Sequence, residues 1–234
     1  NTRLQYHSQL FYRWGDNSFK YQDSYKFGKP ETNIKHNAYI NAGLIQNVFA
    51  RLKGGHNIQF GLWIQNKDKE IPNILGQYGQ ANAFQKDRTL KAFILWKKTF
   101  TNSLLEVKTS YIKDYQRYTD KDISSDSIYS IESDILTHRL YSEINYRNYL
   151  SEKLVIDIGG YSSYLRGIVS SYGKDKTENQ GGLYSAVKYY IKSIVLNMSL
   201  RQEFNKFVIP APLYSIGATT NILNNKLLFR LNFS

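Results

Sequence analysis

The feature that most constrains the fold is a strict alternation of apolar and polar residues in the hairpin Leu183–Phe204. The apolar positions of one face are Leu183, Val187, Tyr189, Ile191, Ile194, Leu196, Met198, Leu200 and Phe204. A period of two predicts β-strands with one apolar and one polar face. Each arm has about ten residues, enough to cross a bilayer at a tilt of about 45°. We therefore predict an all-β protein, a transmembrane antiparallel β-barrel with its polar face toward a wet lumen.

Composition agrees with a membrane barrel without requiring one. Aromatic residues make up 15% of the chain and mean hydropathy is −0.50, as expected for aromatic girdles around a polar lumen. A soluble all-β domain fits these values equally well, so the choice rests on strand length. No run approaches the roughly 18 apolar residues of a membrane helix. The chain has no cysteine, which excludes disulfides, thiolate catalysis and zinc–thiolate sites.

The net charge of +12 raises the question of an anionic partner. Lysine and arginine are spread along strands and turns rather than clustered, so we predict no nucleic-acid partner. A basic lumen or rim facing lipopolysaccharide, other outer-membrane lipids or an anionic ligand fits this spread better. Charges that only solvate the surfaces outside lipid are the alternative.

The alternating pattern recurs along the whole chain and predicts about twelve strands in a meander. The first hairpin would turn at Gly15-Asp16-Asn17 and return through Phe19–Phe27, since such residues favour tight turns. Long loops are expected at Asn66–Gln85, Tyr118–Glu132 and Ser171–Gly181. No linker or second domain is evident, so residues 1–234 are predicted to form one β-barrel segment.

The order of short and long connections predicts how the strands run. Outer-membrane barrels keep short turns in the periplasm and long loops outside. Short turns follow the odd-numbered predicted strands, so the first strand would run from outside to periplasm and the last would run outward. We therefore expect at least one strand before Asn1 and more after Ser234. The competing interpretation is a complete twelve-stranded barrel in which assembly machinery reads Phe233.

Four stretches resemble TonB-dependent outer-membrane receptors, especially the Bacteroidetes branch labelled vitamin B12 or siderophore receptors. They are FGLWIQNKDKEIP (Phe60–Pro72), QKDRTLKAFILWKK (Gln85–Lys98), SLRQEFNKFVIPAPLYSIGATTNI (Ser199–Ile222) and NKLLFRLNFS (Asn225–Ser234). The resemblance implies part of a barrel of about 22 strands around a plugged lumen. This chain would supply roughly strands two to thirteen, without the N-terminal plug and the remaining strands.

The resemblance implies a carrier that imports a scarce, bulky ligand such as cobalamin or a siderophore, and neither an enzyme nor a cofactor-binding protein. Its partners would be the TonB complex, reached through the plug, outer-membrane lipids and lipopolysaccharide. Partner membrane or lipoprotein subunits are a further expectation. The alternative is a plugless structural or assembly barrel within a larger outer-membrane complex.

Two loops carry candidate binding residues. In the first long loop, Tyr78, Gln80 and Asn82 are aromatic and amide residues of the kind that hold a ligand at a barrel mouth. In the second, the carboxylates of Asp120, Asp122 and Asp126 are hard oxygen ligands suited to calcium, as in some cobalamin receptors. Ordinary exposed loops, the second one acidic and solvated, are the alternative for both.

A serine beside a histidine would indicate an outer-membrane phospholipase. His138 and Ser142 share one face of a predicted strand. Four residues of extended chain span about 13 Å, so these two side chains are not expected to touch.

Overall fold

The computed structural model describes residues 3–22, 27–28, 30–72, 82–122, 129–170, 173–206, 208–222 and 227–233. Within them the chain forms strands and one 3-10 turn at Lys53–Gly55. The strands are β1 Arg3–Gly15, β2 Lys20–Gln22, β3 Glu31–Asn33, β4 Tyr39–Arg51, β5 His56–Ile71, β6 Ala83–Thr99, β7 Ser103–Asp122, β8 Tyr129–Ser151, β9 Leu154–Val169, β10 Lys176–Ile191, β11 Ile194–Asn205, β12 Leu213–Ile222 and β13 Leu227–Phe233. Across those ranges no helix is long and apolar enough to span a membrane.

Among the described residues, eleven strands form one antiparallel sheet in the order β1-β4-β5-β6-β7-β8-β9-β10-β11-β12-β13, and β2 pairs with β3. The predicted meander is confirmed, including the hairpin Leu183–Phe204, whose two arms are β10 and β11. In the part of the chain that the structure describes, β1 and β13 each pair along one edge only. Among these residues the sheet is therefore open at both edges, as a segment of a barrel wall would be.

The predicted first hairpin is wrong. β1 does not turn back at Gly15-Asp16-Asn17, but pairs with β4 over its full length, from Arg3 opposite Arg51 to Gly15 opposite Tyr39. The side chain of Asp16 instead accepts a hydrogen bond from the backbone N–H of Ser18 at 3.3 Å, and the chain leaves the sheet. Of the predicted second strand, only Lys20–Gln22 is a described strand, and it pairs with β3.

This pairing also reverses the predicted direction of the first strand. β4 ends at the short Lys53–Gly55 turn, and β1 is antiparallel to β4. β1 therefore runs from the short-turn end of the sheet toward the long-loop end, which is outward under the rule that short turns are periplasmic. Because the predicted second strand does not lie between β1 and β4 in the sheet, β1 runs in the direction opposite to the predicted one.

The sheet has almost no interior of its own. Among the described hydrophobic residues only Ala83 and Val155 are buried, at 7% and 9% exposure, while Leu10 is 81% exposed and Leu183 61%. One layer of sheet cannot cover either of its faces, so the apolar face needs lipid and the polar face needs water or other protein. The face that carries Leu4, Leu10, Leu183 and their neighbours is called the outward face below, and the opposite one the inward face.

The apolar band on the outward face crosses the strands obliquely. Its last large apolar residue on the loop side is Ile64 on β5 and Leu183 on β10. Following the cross-strand partners of Ile64 from β5 to β10 leads to Thr177. Thr177 lies five strands away from Ile64, and six residues along β10 from Leu183. With about 3.3 Å per residue and 4.8 Å between strands, the shift between these two strands corresponds to a tilt of about 40°, while Leu136 on β8 and Ile168 on β9 are outward apolar residues on the loop side of the same row. Membrane barrels have strand tilts of about 35–45°.

The central strands are longer than a membrane requires. β7 has 20 residues and β8 has 23, whereas about 9–11 residues span the bilayer core. At a tilt of about 40°, 20 residues rise about 50 Å along the membrane normal. The loop-side half of the β7–β8 hairpin therefore stands outside the lipid, where Arg117 binds Asp134 through two bonds of 2.8 and 2.9 Å.

Aromatic rings on the inward face lie over glycines of neighbouring strands. Phe93 on β6 is opposite Gly61 on β5, and a Cβ built at Gly61 would lie 2.1 Å from the Phe93 ring. Phe11 covers Gly43 in the same way, with 2.4 Å to a built Cβ. Each ring needs a partner without a side chain, so these pairs fix both the register and the packing of the inward face.

Candidate functional site

A concave recess on the inward face is formed by two successive rows of paired residues across β5, β6, β7 and β8. The first row is Gln65, Thr89, Asp114 and Thr137, and the second is Lys67, Asp87, Gln116 and Ile135. All eight line a cavity of about 440 Å³. This group of residues is called the upper recess below.

Hydrogen bonds hold the side chains of the upper recess in place. The hydroxyl of Thr89 donates to Asp114 at 2.7 Å, and the amide of Gln116 donates to Asp87 at 3.2 Å. Gln65 donates to the side chain of Asn41 at 2.8 Å. The recess thus presents carboxylate oxygens, amides and one ammonium group, that of Lys67, which suits a ligand with both donors and acceptors.

The upper recess lies where the outward apolar band ends. Gln65 directly follows Ile64, the last outward apolar residue of β5. Its partner Thr89 directly precedes Leu90, and Leu90 is the cross-strand partner of Ile64. The recess is therefore level with the outer edge of the lipid core. A solute entering the barrel from outside would meet this wall before any residue nearer the short turns.

A second inward group, called the tyrosine cluster below, consists of Tyr141, Tyr161 and Tyr184 with the carboxylates that they contact. Tyr141 and Tyr184 both donate to Glu143, at 2.9 and 3.2 Å. The rings of Tyr141 and Tyr161 stack with centroids 5.9 Å apart. The guanidinium of Arg201 lies 5.5 Å from the centre of the Tyr161 ring.

Glycines allow the tyrosine cluster to form. Tyr184 faces Gly159 and Tyr161 faces Gly182 across β9 and β10. A Cβ at Gly159 would come within 2.4 Å of the Tyr184 ring, and one at Gly182 within 2.5 Å of Tyr161. Each ring lies over its glycine, which brings the Tyr184 hydroxyl across β9 to Glu143 on β8 and the Tyr161 hydroxyl across β10 to Glu203 on β11.

The predicted ligand-loop residues are only partly described. Tyr78 and Gln80 lie outside the described residues, and Asn82 directly precedes β6. The loop that carries them joins β5 to β6, the two strands that hold Gln65, Lys67, Asp87 and Thr89 of the upper recess. Ligand binding by Tyr78, Gln80 and Asn82 remains a prediction.

The predicted acidic loop is shorter than expected, because β7 extends to Asp122 and β8 begins at Tyr129. Asp120 lies within β7 and accepts a hydrogen bond from Tyr118 at 3.4 Å. Asp122 is the last residue of β7, and Asp126 lies outside the described residues. Across the described ranges, no group of three or more His, Asp or Glu side chains is arranged to hold a metal ion. Calcium binding by this loop remains a prediction.

His138 and Ser142 each bond to a residue of β7 instead of to each other. His138 Nδ1 lies 2.7 Å from the Tyr111 hydroxyl, and the Ser142 hydroxyl lies 3.2 Å from that of Thr109. Each pair faces outward. No serine–histidine pair is formed between these residues.

The upper recess and the tyrosine cluster were not found from the sequence, although a signal for the recess was present. Residues equally distant from the short turn at Thr101-Asn102 pair across β6 and β7, as Thr89 does with Asp114. Counting outward from each short turn would have grouped these polar residues. Nothing comparable links Tyr141 to Tyr161, which are not direct partners in the β8–β9 register.

No protein-family model and no curated protein matches the sequence. Solved structures do match the fold. The FrpB iron transporter from Neisseria meningitidis has a TM-score of 0.63 and 9% identity, covering 94% of this chain and 39% of that one. The ferric-catecholate import receptor Fiu from K12 E. coli has a TM-score of 0.59 and 9% identity, covering 94% and 48%. The RagAB peptide importer has a TM-score of 0.59 and 10% identity, covering 81% and 31%.

These similarities concern the fold, and the chain spans less than half the length of each of the three proteins. The chain has the fold of a segment of the β-barrel wall in these proteins.

Proposed function

We propose that this chain is the barrel-wall segment of a TonB-dependent outer-membrane receptor that imports a scarce, bulky ligand of the cobalamin or siderophore class. The observation that carries this proposal is the upper recess, a polar wall on the inward face at the outer edge of the lipid core. Its donors and acceptors face the path of an incoming solute. The similar solved structures, an iron transporter, a ferric-catecholate import receptor and a peptide importer, support import as the general function.

The proposal includes a protein plug inside the barrel, for which the polar inward face would be the packing surface. The plug and the strands that close the barrel would lie outside residues 1–234, and the plug would contact the TonB complex.

The experiment that tests import measures uptake of radiolabelled cobalamin and of a ferric siderophore in cells with and without the gene for this protein. We expect loss of uptake of one ligand class on deletion, and the same loss when TonB is inactivated. Unchanged uptake of all ligands would overturn the proposal. Uptake that needs the protein but not TonB would favour the plugless barrel instead.

A further inference from the structure

A group of outward-facing side chains, called the inner-rim group below, lies at the short-turn end of β5 and β6. It consists of His56, Trp96, Lys98 and Phe100. His56 and Lys98 are direct cross-strand partners, and Trp96 pairs with Ile58. The His56 and Trp96 rings stack with centroids 5.8 Å apart. In an outer-membrane barrel this end is periplasmic, so the group lies level with the headgroups of the inner leaflet.

The inner-rim group has more hydrogen-bond donors than acceptors. Trp96 Nε1 lies 3.2 Å from His56 Nδ1, and Lys98 Nζ lies 2.9 Å from His56 Nε2. A neutral imidazole can accept at one nitrogen only, so it cannot satisfy both donors. Lys98 also donates to the carbonyl of Gly54, and an ammonium group has a third N–H to offer. The surplus donors need an acceptor from outside the chain.

No carboxylate neutralises Lys98 among the described residues. On the outward face near the loops, by comparison, Arg117 pairs with Asp134 and Arg166 with Asp175. At the inner rim, by contrast, the positive charge stands beside exposed aromatic surface, with Phe100 47% exposed and Lys98 Nζ 5.4 Å from its ring centre. A cation flanked by aromatic rings at the edge of the apolar band is suited to an anionic amphiphile.

We propose that the inner-rim group binds the headgroup of an anionic phospholipid of the inner leaflet. Lys98 and the N–H of Trp96 would donate to the phosphate oxygens. The acyl chains would run along the apolar band above, over Ile58 and its neighbours. This site depends on the placement of the barrel in the outer membrane and is independent of which ligand the protein imports.

The test is native mass spectrometry of the protein in detergent micelles doped with phosphatidylglycerol or phosphatidylcholine. We expect preferential retention of phosphatidylglycerol, and about tenfold weaker retention in Lys98→Gln, which loses a charged hydrogen bond. Lys98→Arg keeps the charge and should retain the lipid. The matched control is Lys113→Gln, which removes an outward lysine eight residues farther along β7 than Leu105, the partner of Lys98, and should change nothing at this site.

Three results would overturn the proposal. They are no preference for phosphatidylglycerol over phosphatidylcholine, equal losses in the Lys98 and Lys113 variants, and displacement of the lipid by inorganic phosphate at similar concentration. The last result would indicate a simple anion site, because acyl chains on the apolar band would then add no affinity. Heat-modifiable gel mobility of each variant shows whether it is folded. If Lys98→Gln is unfolded, the lipid preference of the folded Lys98→Arg variant decides the question.

Discussion

The pairing of Phe93 with Gly61 predicts that a single methyl group on the inward face destabilises the barrel wall. In Gly61→Ala the new Cβ would lie 2.1 Å from one carbon of the Phe93 ring, and two more ring carbons lie within 2.8 Å. Real Cβ atoms do not approach other carbons so closely, and the ring is attached to a strand whose register is fixed on both sides. The ring must therefore turn away or the strands must separate.

The size of the effect follows from this overlap. Forcing an extra methyl group into a packed site costs about 1–3 kcal/mol, and we expect the upper part of that range because the whole ring is displaced. Gly167 provides a matched control, since it also faces inward and a Cβ there would meet nothing within 4 Å. At such an open position alanine is expected to be neutral, or to stabilise by up to about 1 kcal/mol through the unfolded state.

The assay is equilibrium urea unfolding of the protein in lipid vesicles, followed by heat-modifiable gel mobility. A double-mutant cycle with Phe93→Ala measures the coupling directly, and we expect the Gly61→Ala penalty to shrink by at least about 1 kcal/mol once the ring is removed. Equal stabilities of Gly61→Ala and Gly167→Ala would refute the reasoning. An unchanged penalty in the Phe93→Ala background would refute it as well.

Two further predictions concern the outward face. Ile94→Arg places a charge in the apolar band of β6, where Ile94 is 48% exposed, and should lower the free energy of unfolding in vesicles by roughly 2–4 kcal/mol. The neighbouring Leu95 faces inward, so Leu95→Arg should lower it by less than half as much. Equal losses would contradict the assignment of the faces. Outside the lipid, the guanidinium of Arg117 and then the hydroxyl of Tyr115 hold the pKa of Asp134 below its ordinary value. The stabilisation is therefore present above a pH of about 4 and lost as pH falls through the lowered pKa, so the difference in urea midpoint between wild type and Asp134→Asn should narrow on acidification. A difference independent of pH would exclude this ion pair as its source.

Sequence pattern predicted best those parts of the fold that lie in lipid. Within the membrane one face of each strand meets hydrocarbon and the other meets polar groups, so alternation is sharp, as in β10 and β11. Outside the membrane both faces meet water, and polar residues follow one another without a period. This is why β7 and β8 extend beyond the strands predicted for them, and why Asp120 lies in a strand and not in a loop.

Turn chemistry was a weaker guide than strand pairing. Gly15-Asp16-Asn17 has the residues of a tight turn, and Asn17 does adopt a positive φ of 46°. A turn signal reports only the local backbone, however. It does not indicate which strand is the more stable partner, and β4 pairs with β1 at thirteen positions. Pairing between β1 and β4 is a long-range contact, which forms only when the sheet assembles.

The sequence by itself determined that the chain forms long, two-faced strands in a meander, because alternation and short turns are local properties of neighbouring residues. Only the tertiary structure decided which strands are neighbours and which residues meet across them. The upper recess joins Gln65 to Thr137 across four strands, and the tyrosine cluster requires glycines on facing strands. Such sites depend on register, and register is set by the pairing of whole strands.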